Sequence, residues 1–344
     1  MIKLLSLFSG IGAFETALRR GGYQFETVNY CEIDPYASKA YSQIHGISED
    51  FNLHDVRTVN PLLMNNVNLV TYGFPCVDIS VAGKQEGFFK KDGSVTRSGL
   101  FFEALRIIEF LQPEYAICEN VKALTSKKFE KEFNTVLSSL AEVGYNNYWK
   151  ILNAKDYGVP QNRERVFIVS IRKDIDKGTF TFPEKQPLTL MVKDLLEPVV
   201  DEKYYLKSQR ADDLIRQILA KTDTGKGMAG IPNVQAVEPK IKRLGNLYDE
   251  NAGGARAGNV YAPNGLAPAL QTAQGGNRQP LMYEDYRIRK LTPRECFRLM
   301  GFTDADFDKI KGISNTQLYK MAGNSIVVNV LEAIFKQLFK ENHK

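Results

Sequence analysis

The chain has 344 residues, a hydrophobic share of 43%, a charged share of 25% and a formal net charge of +5 at pH 7. This length and composition predict an ordinary globular protein with one large domain or a large and a small one. No apolar run approaches the roughly 20 residues of a membrane-spanning helix, and the apolar start is too short for a secretory signal, so we expect a cytoplasmic protein. Four widely spaced cysteines and three histidines argue against a disulfide framework and against a metal site.

The first half of the chain alternates short β-type runs with helical stretches. This alternation predicts an α/β fold with a doubly wound, mostly parallel sheet. Strands are predicted at 2–8, 27–32, 68–72, 115–119, 148–153 and 165–171, and helices at 13–20, 100–111 and 129–143.

The alternation fades beyond Pro183, apart from a helix predicted near 211–220. The stretch 251–283 contains no Asp, Glu or Lys and is rich in Gly, Asn, Gln and Ala, so we expect a loop-rich segment there. A threonine cap, an N1 proline and an early acid then predict a helix from 293, and an amphipathic helix is expected over about 327–340. We therefore expect a larger domain over 1–186, completed by a C-terminal helix within 315–344, and a smaller domain over 187–314.

A glycine-containing turn follows the first predicted strand. Gly10 and Gly12 leave room for a ligand to approach the backbone. Glu32 comes twenty residues after Gly12 at the end of the second strand, where a carboxylate can accept both hydroxyls of a ribose. Glu15 stands where a dinucleotide fingerprint needs its third glycine, so the pattern favours one nucleoside. A turn with a purely structural role is the alternative.

Reactive side chains follow three further strands. Cys76 comes after a strand and directly after a proline, where an exposed thiol can act as a nucleophile; a buried, inert thiol is the alternative. Glu119 closes another strand and would lie near this thiol if the two strands are neighbours. Arg163 and Arg165 share one face of an extended segment, an arrangement that suits a phosphate or a base carbonyl.

Six sequence blocks together resemble the DNA cytosine-5 methyltransferases of bacterial and phage restriction-modification systems. They are 8–12, 73–76, 119–121, 161–165, 291–296 and 323–325, in the order and at the spacing of that family. The resemblance implies a Rossmann-like methyltransferase fold and S-adenosylmethionine as the cofactor. It further implies a metal-free monomer that acts on double-stranded DNA at the nucleoid.

The resemblance also implies the catalytic residues. In this family the cysteine of the Pro-Cys block adds to carbon 6 of a flipped cytosine, and the glutamate of the Glu-Asn-Val block shares a proton with ring nitrogen 3. Cys76 and Glu119 take these roles here. Arg165, together with Arg163, is implied to hold the base carbonyl and a nearby phosphate.

The cofactor site is implied to lie along the tips of the first strands. Glu32 would accept from the ribose, and Asp55 from the adenine amino group. The implied cofactor-binding residues are Phe8, Gly10, Ile11, Gly12, Glu32, Ile33, Asp55, Val56, Pro75, Leu100, Asn324 and Ser325.

Two segments are implied to meet the DNA. The stretch 77–99 resembles the mobile loop that closes over the duplex, with Val77 where the family commonly has glutamine. The unmatched stretch, roughly 185–286, fits a target-recognition region, where arginine suits guanine and glutamine or asparagine suits adenine. The implied DNA contacts are Ser80, Ala82, Lys84, Gln85, Arg97, Arg256 and Arg278, with Lys90 and Lys91 as further phosphate contacts and Gln271, Gln274, Asn277 and Gln279 as further base contacts.

Three other functions would use some of the same residues. A tRNA cytosine-5 methyltransferase of the same family would share Cys76 and Glu119, but the middle region is long and lacks the Cys-Phe-Thr tripeptide of that branch. A nucleotide-dependent oxidoreductase would use the glycine turn and Glu32 but has no use for Arg165. A catalytically inactive DNA-binding paralogue would not need the reactive residues that this chain retains.

Overall fold

The computed structural model describes residues 1–64, 66–76, 78–79, 87–223, 240–248, 257–273 and 279–340. Within these residues the strands are, in chain order, β1 (Ile2–Leu7), β2 (Phe25–Cys31), β3 (Leu69–Tyr72), β4 (Tyr115–Val121), β5 (Tyr145–Asn153), β6 (Gln161–Asn162), β7 (Glu164–Arg172), β8 (Arg243–Asn246), β9 (Asn259–Tyr261), β10 (Ala267–Pro268), β11 (Leu281–Glu284) and β12 (Arg287–Lys290). The α-helices are α1 (Ala13–Arg20), α2 (Pro35–His45), α3 (Phe101–Leu111), α4 (Glu130–Glu142), α5 (Gln209–Asp223), α6 (Pro293–Arg298), α7 (Asp304–Asp308), α8 (Asn315–Asn324) and α9 (Val328–Leu338).

Six of the described strands form one sheet in the order β2–β1–β3–β4–β7–β5. β2, β1, β3 and β4 pair in parallel, whereas β7 runs antiparallel to β4 and β5. The prediction of a doubly wound, mostly parallel α/β sheet is confirmed. Because β7 is reversed, its first residues lie at the edge where β1, β3 and β4 end.

Helices cover both faces of this sheet. Successive residues of a strand point to opposite faces, so Leu4 packs in the core with α1, α2 and α9, and Leu5 packs in the core with α3 and α4. Phe14 and Phe335 meet edge-on on the first face, with ring centroids 6.4 Å apart. Phe101 is fully buried on the second face. The result is a three-layer core that holds the strand ends rigidly in place.

The predicted set of helices omits α2, although the sequence carries its start and stop signals. Asp34 caps the helix by accepting hydrogen bonds from the backbone of Tyr36 and Ala37, and Pro35 occupies the first helical turn. Gly46 ends the helix in the left-handed conformation, at φ 68°. The caps of α2 are present, but the apolar pattern of this segment is too short to predict a helix by itself.

The second half contains more strand than predicted. Within the described part of the chain, β12, β11, β9 and β8 form a small mixed sheet in that order, and α5 packs against it through Leu214 and Ile218. β9, β10 and β11 are short and lie inside or at the end of the segment predicted to be loop-rich, and turns and irregular structure make up most of its described residues. β10 pairs with β6 and connects this half to the large sheet.

The segment that contains α6 and α7 packs against the large sheet. Phe297 and Met300 are buried in the core shared with α1 and α9, and Asp306 of α7 pairs with Arg19 of α1. The domain bounds 1–186 and 187–314 stay a prediction.

α1 buries a carboxyl group, Glu15, in this core. The Tyr41 hydroxyl donates to Glu15 Oε1 at 2.9 Å, and burial raises the pKa of Glu15 above its usual 4.5. A raised folded-state pKa gives stability that is fully present below the unfolded value and is lost as the pH rises through the folded value. Glu15 therefore makes folding less favourable at alkaline pH.

Replacing Glu15 by Gln should remove this pH dependence, since the amide oxygen can still accept from Tyr41. We expect the Tm of Glu15→Gln, relative to the parent protein, to rise between pH 5 and pH 8.5, as measured by thermal unfolding without ligands. The control is Glu26→Gln, a change at an exposed glutamate of β2. A Tm difference that stays constant with pH would contradict the buried-acid assignment.

Candidate active site

Cys76 and Glu119 lie at the same edge of the large sheet. β3 and β4 pair in parallel with Tyr72 opposite Cys118, so the residues that follow both strands emerge side by side. Glu119 comes directly after Cys118, and Cys76 follows Tyr72 after a short turn. The main chain at Gly73 passes so close to Glu119 that a Cβ there would lie 3.5 Å from its Oε2. The two groups therefore share one small space.

The reversed strand β7 brings Arg165 to Glu119. Phe167 is the register partner of Glu119, and Arg165 is the partner of Val121, so Glu119 and Arg165 are diagonal neighbours on one face. Arg165 Nε lies 3.0 Å from Glu119 Oε1, with side chains only 19% and 12% exposed. This is a partly desolvated ion pair, which is stronger than one at the surface.

The electrostatics of Cys76 follow from this neighbourhood. Burial first and the Glu119 carboxylate second raise the pKa of the Cys76 thiol, while Arg165 and Arg163 oppose that rise. Burial also raises the pKa of Glu119, and the two arginines oppose it. Burial and the nearby carboxylate thus disfavour the thiolate of Cys76, and burial disfavours the charged form of Glu119.

Hydrogen bonds fix the turn that carries Cys76. Ile79 donates to the Cys76 carbonyl at 3.0 Å, and Asn120 Nδ2 donates to the Phe74 carbonyl at 3.1 Å. Asp78 and Ser98 are both buried and bond each other twice, with both donor–acceptor distances 3.2 Å. Sequence analysis missed Ser98 as a support of the nucleophile, since twenty residues separate it from Asp78 and no local pattern connects them.

The second part of the implied loop packs onto α3. Phe88 stacks on Phe101 with centroids 5.8 Å apart and meets Phe74 edge-on. Any closing motion of the whole stretch 77–99 has to break these contacts. Lys90, Lys91 and Arg97 are exposed on this part. Val77 and the implied DNA contacts Ser80, Ala82, Lys84 and Gln85 lie outside the described residues.

Arg163 differs from its expected role. Its Nη1 donates to the Leu270 carbonyl at 2.9 Å, and its Nη2 donates to the carbonyls of Gly323 and Ser325 at 3.0 and 2.8 Å. A buried cation is costly unless its donors are satisfied, and here distant main-chain carbonyls satisfy its terminal nitrogens. Arg163 therefore connects the segment before β7 to distant parts of the chain, and Arg165 is the arginine that contacts Glu119.

Gln161 makes a second connection at this junction. Its Nε2 donates to the Leu299 carbonyl at 2.7 Å, and its Oε1 accepts from the Leu270 amide at 3.0 Å. Leu270 is thus held at both its amide and its carbonyl by the segment that leads into β7. Gln271, which the resemblance implies as a base contact, directly follows this residue.

The implied nucleoside site lies beside the ends of β1 and β2. Glu32 Oε2 accepts from the Gly10 amide at 2.9 Å, and Glu32 Oε1 accepts from the Asp34 amide at 2.8 Å. Burial raises the pKa of Glu32. Gly12, at φ 76°, cannot be replaced by a larger residue, because a Cβ would lie 2.1 Å from His45 Nε2. This arrangement of a bare backbone turn and an inward carboxylate fits a ribose and its adjoining chain.

The other implied cofactor residues occupy varied positions. Ile11 and Val56 are buried, while Ile33 is 68% exposed beside Glu32, as an apolar wall for a planar base would be. Asp55 is paired with Arg57. An adenine amino group would therefore have to share the Asp55 carboxylate with Arg57 or displace Arg57 from it. The half-buried residues are Phe8, Pro75 and Leu100; Ser325 is buried and Asn324 is exposed near the Arg163 junction.

Four of the implied DNA contacts, Gln274, Asn277, Arg256 and Arg278, lie outside the described residues. Gln271 and Gln279 are half-buried.

Among the residues that the structure covers, no cluster of three acidic, histidine or cysteine side chains could hold a metal ion. None of the helices traced in those same segments is long and apolar enough to cross a membrane.

Comparisons with known proteins agree on one family. The family of C-5 cytosine-specific DNA methylases matches residues 2–340. The orphan methyltransferase M.SPBetaI of Bacillus phage SPbeta is 32% identical, with 98% of this chain and 97% of that protein covered. The type II methyltransferase M2.ScrFI of Lactococcus lactis subsp. cremoris is 41% identical over 84% of this chain and 71% of its own length. The solved Dnmt2 methyltransferase of S. pombe shares the fold, with a TM-score of 0.70 and 20% identity over the whole of both chains.

The coupling of Cys76 to Glu119 predicts a change in thiol reactivity. Glu119→Gln removes the negative charge that raises the pKa of Cys76 and leaves the positive charge of Arg165 unpaired, and both effects favour the thiolate. We expect the pH profile of Cys76 alkylation by iodoacetamide, followed by intact mass, to move to lower pH.

Cys31, Cys118 and Cys296 are buried, so alkylation reports on Cys76. The matched control is Glu164→Gln, on the same strand as Arg165, where the carboxylate pairs with Lys122. An unchanged profile in Glu119→Gln, or an equal movement in the control, would refute the coupling.

Proposed function

Because the chain belongs to the C-5 cytosine-specific DNA methylases and is therefore a DNA cytosine-5 methyltransferase, we propose how it carries out that reaction. The methyl group comes from S-adenosylmethionine, and the acceptor is carbon 5 of a cytosine flipped out of a specific double-stranded DNA sequence. The reaction passes through a covalent bond between Cys76 and carbon 6. The observation that carries this proposal is the grouping of Cys76, Glu119 and Arg165 at one sheet edge.

The first step is nucleophilic addition. Carbon 5 of cytosine is a weak nucleophile, so a thiolate adds to carbon 6 and shifts the electrons of the 5,6 double bond into the ring. Cys76 releases its thiol proton to solvent and forms this sulfur–carbon bond as the thiolate. The negative charge that would accumulate on the ring is cancelled when Glu119 donates a proton to nitrogen 3.

The raised pKa of Glu119 suits this role. A carboxyl group with a raised pKa binds a proton more readily than a solvated one and can donate it as the charge develops, which is general acid catalysis. Arg165, bonded to Glu119 Oε1, orients the carboxyl group and can donate to the carbonyl oxygen of the base. Arg163 acts here as a support rather than as a contact to the base.

The last step restores the enzyme. Once carbon 5 carries the methyl group, a water molecule removes the proton from carbon 5, the sulfur–carbon bond breaks, and its electron pair returns to Cys76 as the thiolate. The proton on nitrogen 3 returns to Glu119 as the ring regains its 5,6 double bond. Both groups are then ready for another cycle.

Residues at the ends of β1 and β2 would hold the cofactor. S-adenosylmethionine supplies an electrophilic methyl group when bound. Glu32 would accept from the ribose hydroxyls, Gly10 and Gly12 would leave room for the methionine part, and Ile33 would lie against the adenine. The half-buried Glu32, whose carboxylate accepts from two backbone amides, supports this assignment.

The partner is proposed to be double-stranded DNA. Lys90, Lys91 and Arg97 are exposed on the segment that follows the nucleophile and have the charge to meet phosphates. Gln271, an implied base contact, directly follows Leu270, which Gln161 and Arg163 hold. A tRNA substrate is the alternative, and the likeness to the S. pombe structure concerns the fold alone.

Methyl transfer distinguishes these substrates. With labelled S-adenosylmethionine, we expect 5-methylcytosine in genomic DNA and none in total tRNA, identified by mass after digestion. Cys76→Ala should lower transfer below detection while cofactor affinity changes by less than about threefold, because the thiol acts on the base. Cys296→Ala, a change at a buried thiol of α6, is the matched control and should stay active.

DNA that contains 5-fluorocytosine should trap the covalent adduct on Cys76, since fluorine at carbon 5 cannot leave as a proton does. Turnover in Cys76→Ala, or an adduct on another residue, would overturn the mechanism. Label in tRNA alone would move the chain to the alternative substrate.

A second prediction concerns the cofactor. Glu32→Ala should weaken S-adenosylmethionine binding by at least about tenfold, since charged hydrogen bonds to a buried ligand are lost. The KM for DNA should stay within about twofold. Calorimetric titration measures the first and steady-state kinetics the second, with Glu26→Ala as the control on the same strand. Unchanged cofactor affinity would exclude the ribose role of Glu32.

A further inference from the structure

We propose that Asn52 is a positioning residue of the cofactor site, which fixes the main chain of Glu32 by taking the place of a neighbouring strand. This inference rests on the proposed ribose role of Glu32. It concerns a residue that lies outside all six sequence blocks and that would not touch the cofactor itself. Its consequence is that the affinity for S-adenosylmethionine depends on an amide side chain twenty residues from the carboxylate it places.

The side chain of Asn52 is buried, with 6% exposure, and all of its polar atoms are bonded. Its Oδ1 accepts from the Glu32 amide at 2.9 Å, and its Nδ2 donates to the Glu32 carbonyl at 2.9 Å. Oδ1 also accepts from the His54 amide at 2.9 Å, and Nδ2 donates to Ser38 Oγ at 3.0 Å. A pair of bonds to one residue's amide and carbonyl is the pattern that a strand partner makes.

Glu32 needs such a partner because of where β2 ends. The pairing of β2 with β1 stops at Cys31, one residue before Glu32. On its other side, β2 is the edge of the sheet, and Leu53 donates to the Tyr30 carbonyl at 2.7 Å. The Asn52 side chain extends this edge pairing by one residue. Without it, the amide and the carbonyl of Glu32 would lose these bonds.

The carboxylate of Glu32 depends on that main chain. With the backbone fixed, its two oxygens reach the amides of Gly10 and Asp34, which belong to two different turns. A backbone free to rotate would let the carboxyl group move into solvent, where its charged form is better solvated. Asn52 therefore sets where the carboxylate lies and how its two oxygens are oriented toward the ribose.

The Asn52 side chain also fixes the backbone just before Asp55, the residue implied to bind the adenine amino group. His54 has a positive φ of 56°, a conformation that L residues adopt at a cost. Its amide is held by Asn52 Oδ1, and Asp55 follows directly. One buried side chain thus couples the ribose carboxylate to the segment that leads to Asp55.

The test compares cofactor binding with DNA use in the full-length protein. Asn52→Ala should weaken S-adenosylmethionine binding by about tenfold or more in calorimetric titration, as expected when several buried hydrogen bonds are lost. The kcat at saturating cofactor and the KM for DNA should change by less than about twofold, because Cys76 and Glu119 lie on other strands. A general loss of structure would lower all of these together.

The matched control is Asn29→Ala. Asn29 Nδ2 donates to the Phe51 carbonyl at 3.1 Å, so this change removes a bond to the same loop without touching Glu32. It should leave cofactor affinity unchanged. Asn52→Asp is a near-isosteric second variant that keeps the accepted bonds and loses the donated ones. It should also weaken cofactor binding, and it decides the question if Asn52→Ala does not fold.

A double variant separates this inference from the proposed function. If Asn52 acts through Glu32, then Asn52→Ala in a Glu32→Ala background should cause no further loss beyond about twofold. Full additivity would show an independent effect and overturn the inference, as would normal cofactor binding in both Asn52 variants while Glu32→Ala binds weakly. Normal binding in Glu32→Ala would instead reject the ribose role itself, and the inference with it.

Discussion

The reversed direction of β7 is the constraint on which the reactive site depends. A fully parallel sheet would bring the end of this strand to the edge where β3 and β4 end, but β7 brings its beginning there. Arg165 is therefore next to Glu119, and the preceding residues 161–163 extend past the sheet edge. From that position Gln161 and Arg163 reach Leu270, Leu299 and the end of α8. One strand direction thus assembles the acid, its arginine and the supports behind them.

Burial gives these groups their chemistry. Glu119 and Cys76 would behave as an ordinary acid and thiol in water, and removing them from water disfavours the charged form of each. The two arginines limit this effect without cancelling it. Each group therefore favours its protonated form more than it would in water. This is the physical basis of the mechanism proposed for the site.

Distant parts of the chain meet around this edge. Gly323 lies so close to Gln271 that a Cβ would be 2.3 Å from the Gln271 carbonyl, and Lys320 of α8 pairs with Asp34 at the start of α2. Arg289 is fully buried and bonded to both oxygens of Glu295, which also caps α6 through Thr292. The blocks at 291–296 and 323–325 are therefore structural connections between the second half of the chain and the large sheet.

Sequence reasoning determined the sheet class, the order of its elements and the ends of β3 and β4 that carry Cys76 and Glu119, because strand runs, caps and glycine turns are local signals. α2 was predictable from the same signals, through Asp34, Pro35 and Gly46. Only the tertiary structure distinguished the contacts of Arg163 from those of Arg165. Both residues fit one face in an extended pattern, but the hydrogen-bond partners of Arg163 lie 107 to 162 residues further along the chain. The same holds for Asn52, whose role depends on an amide meeting the main chain of Glu32 in space. A local pattern records which groups a residue can bond, while folding decides which partners are within reach.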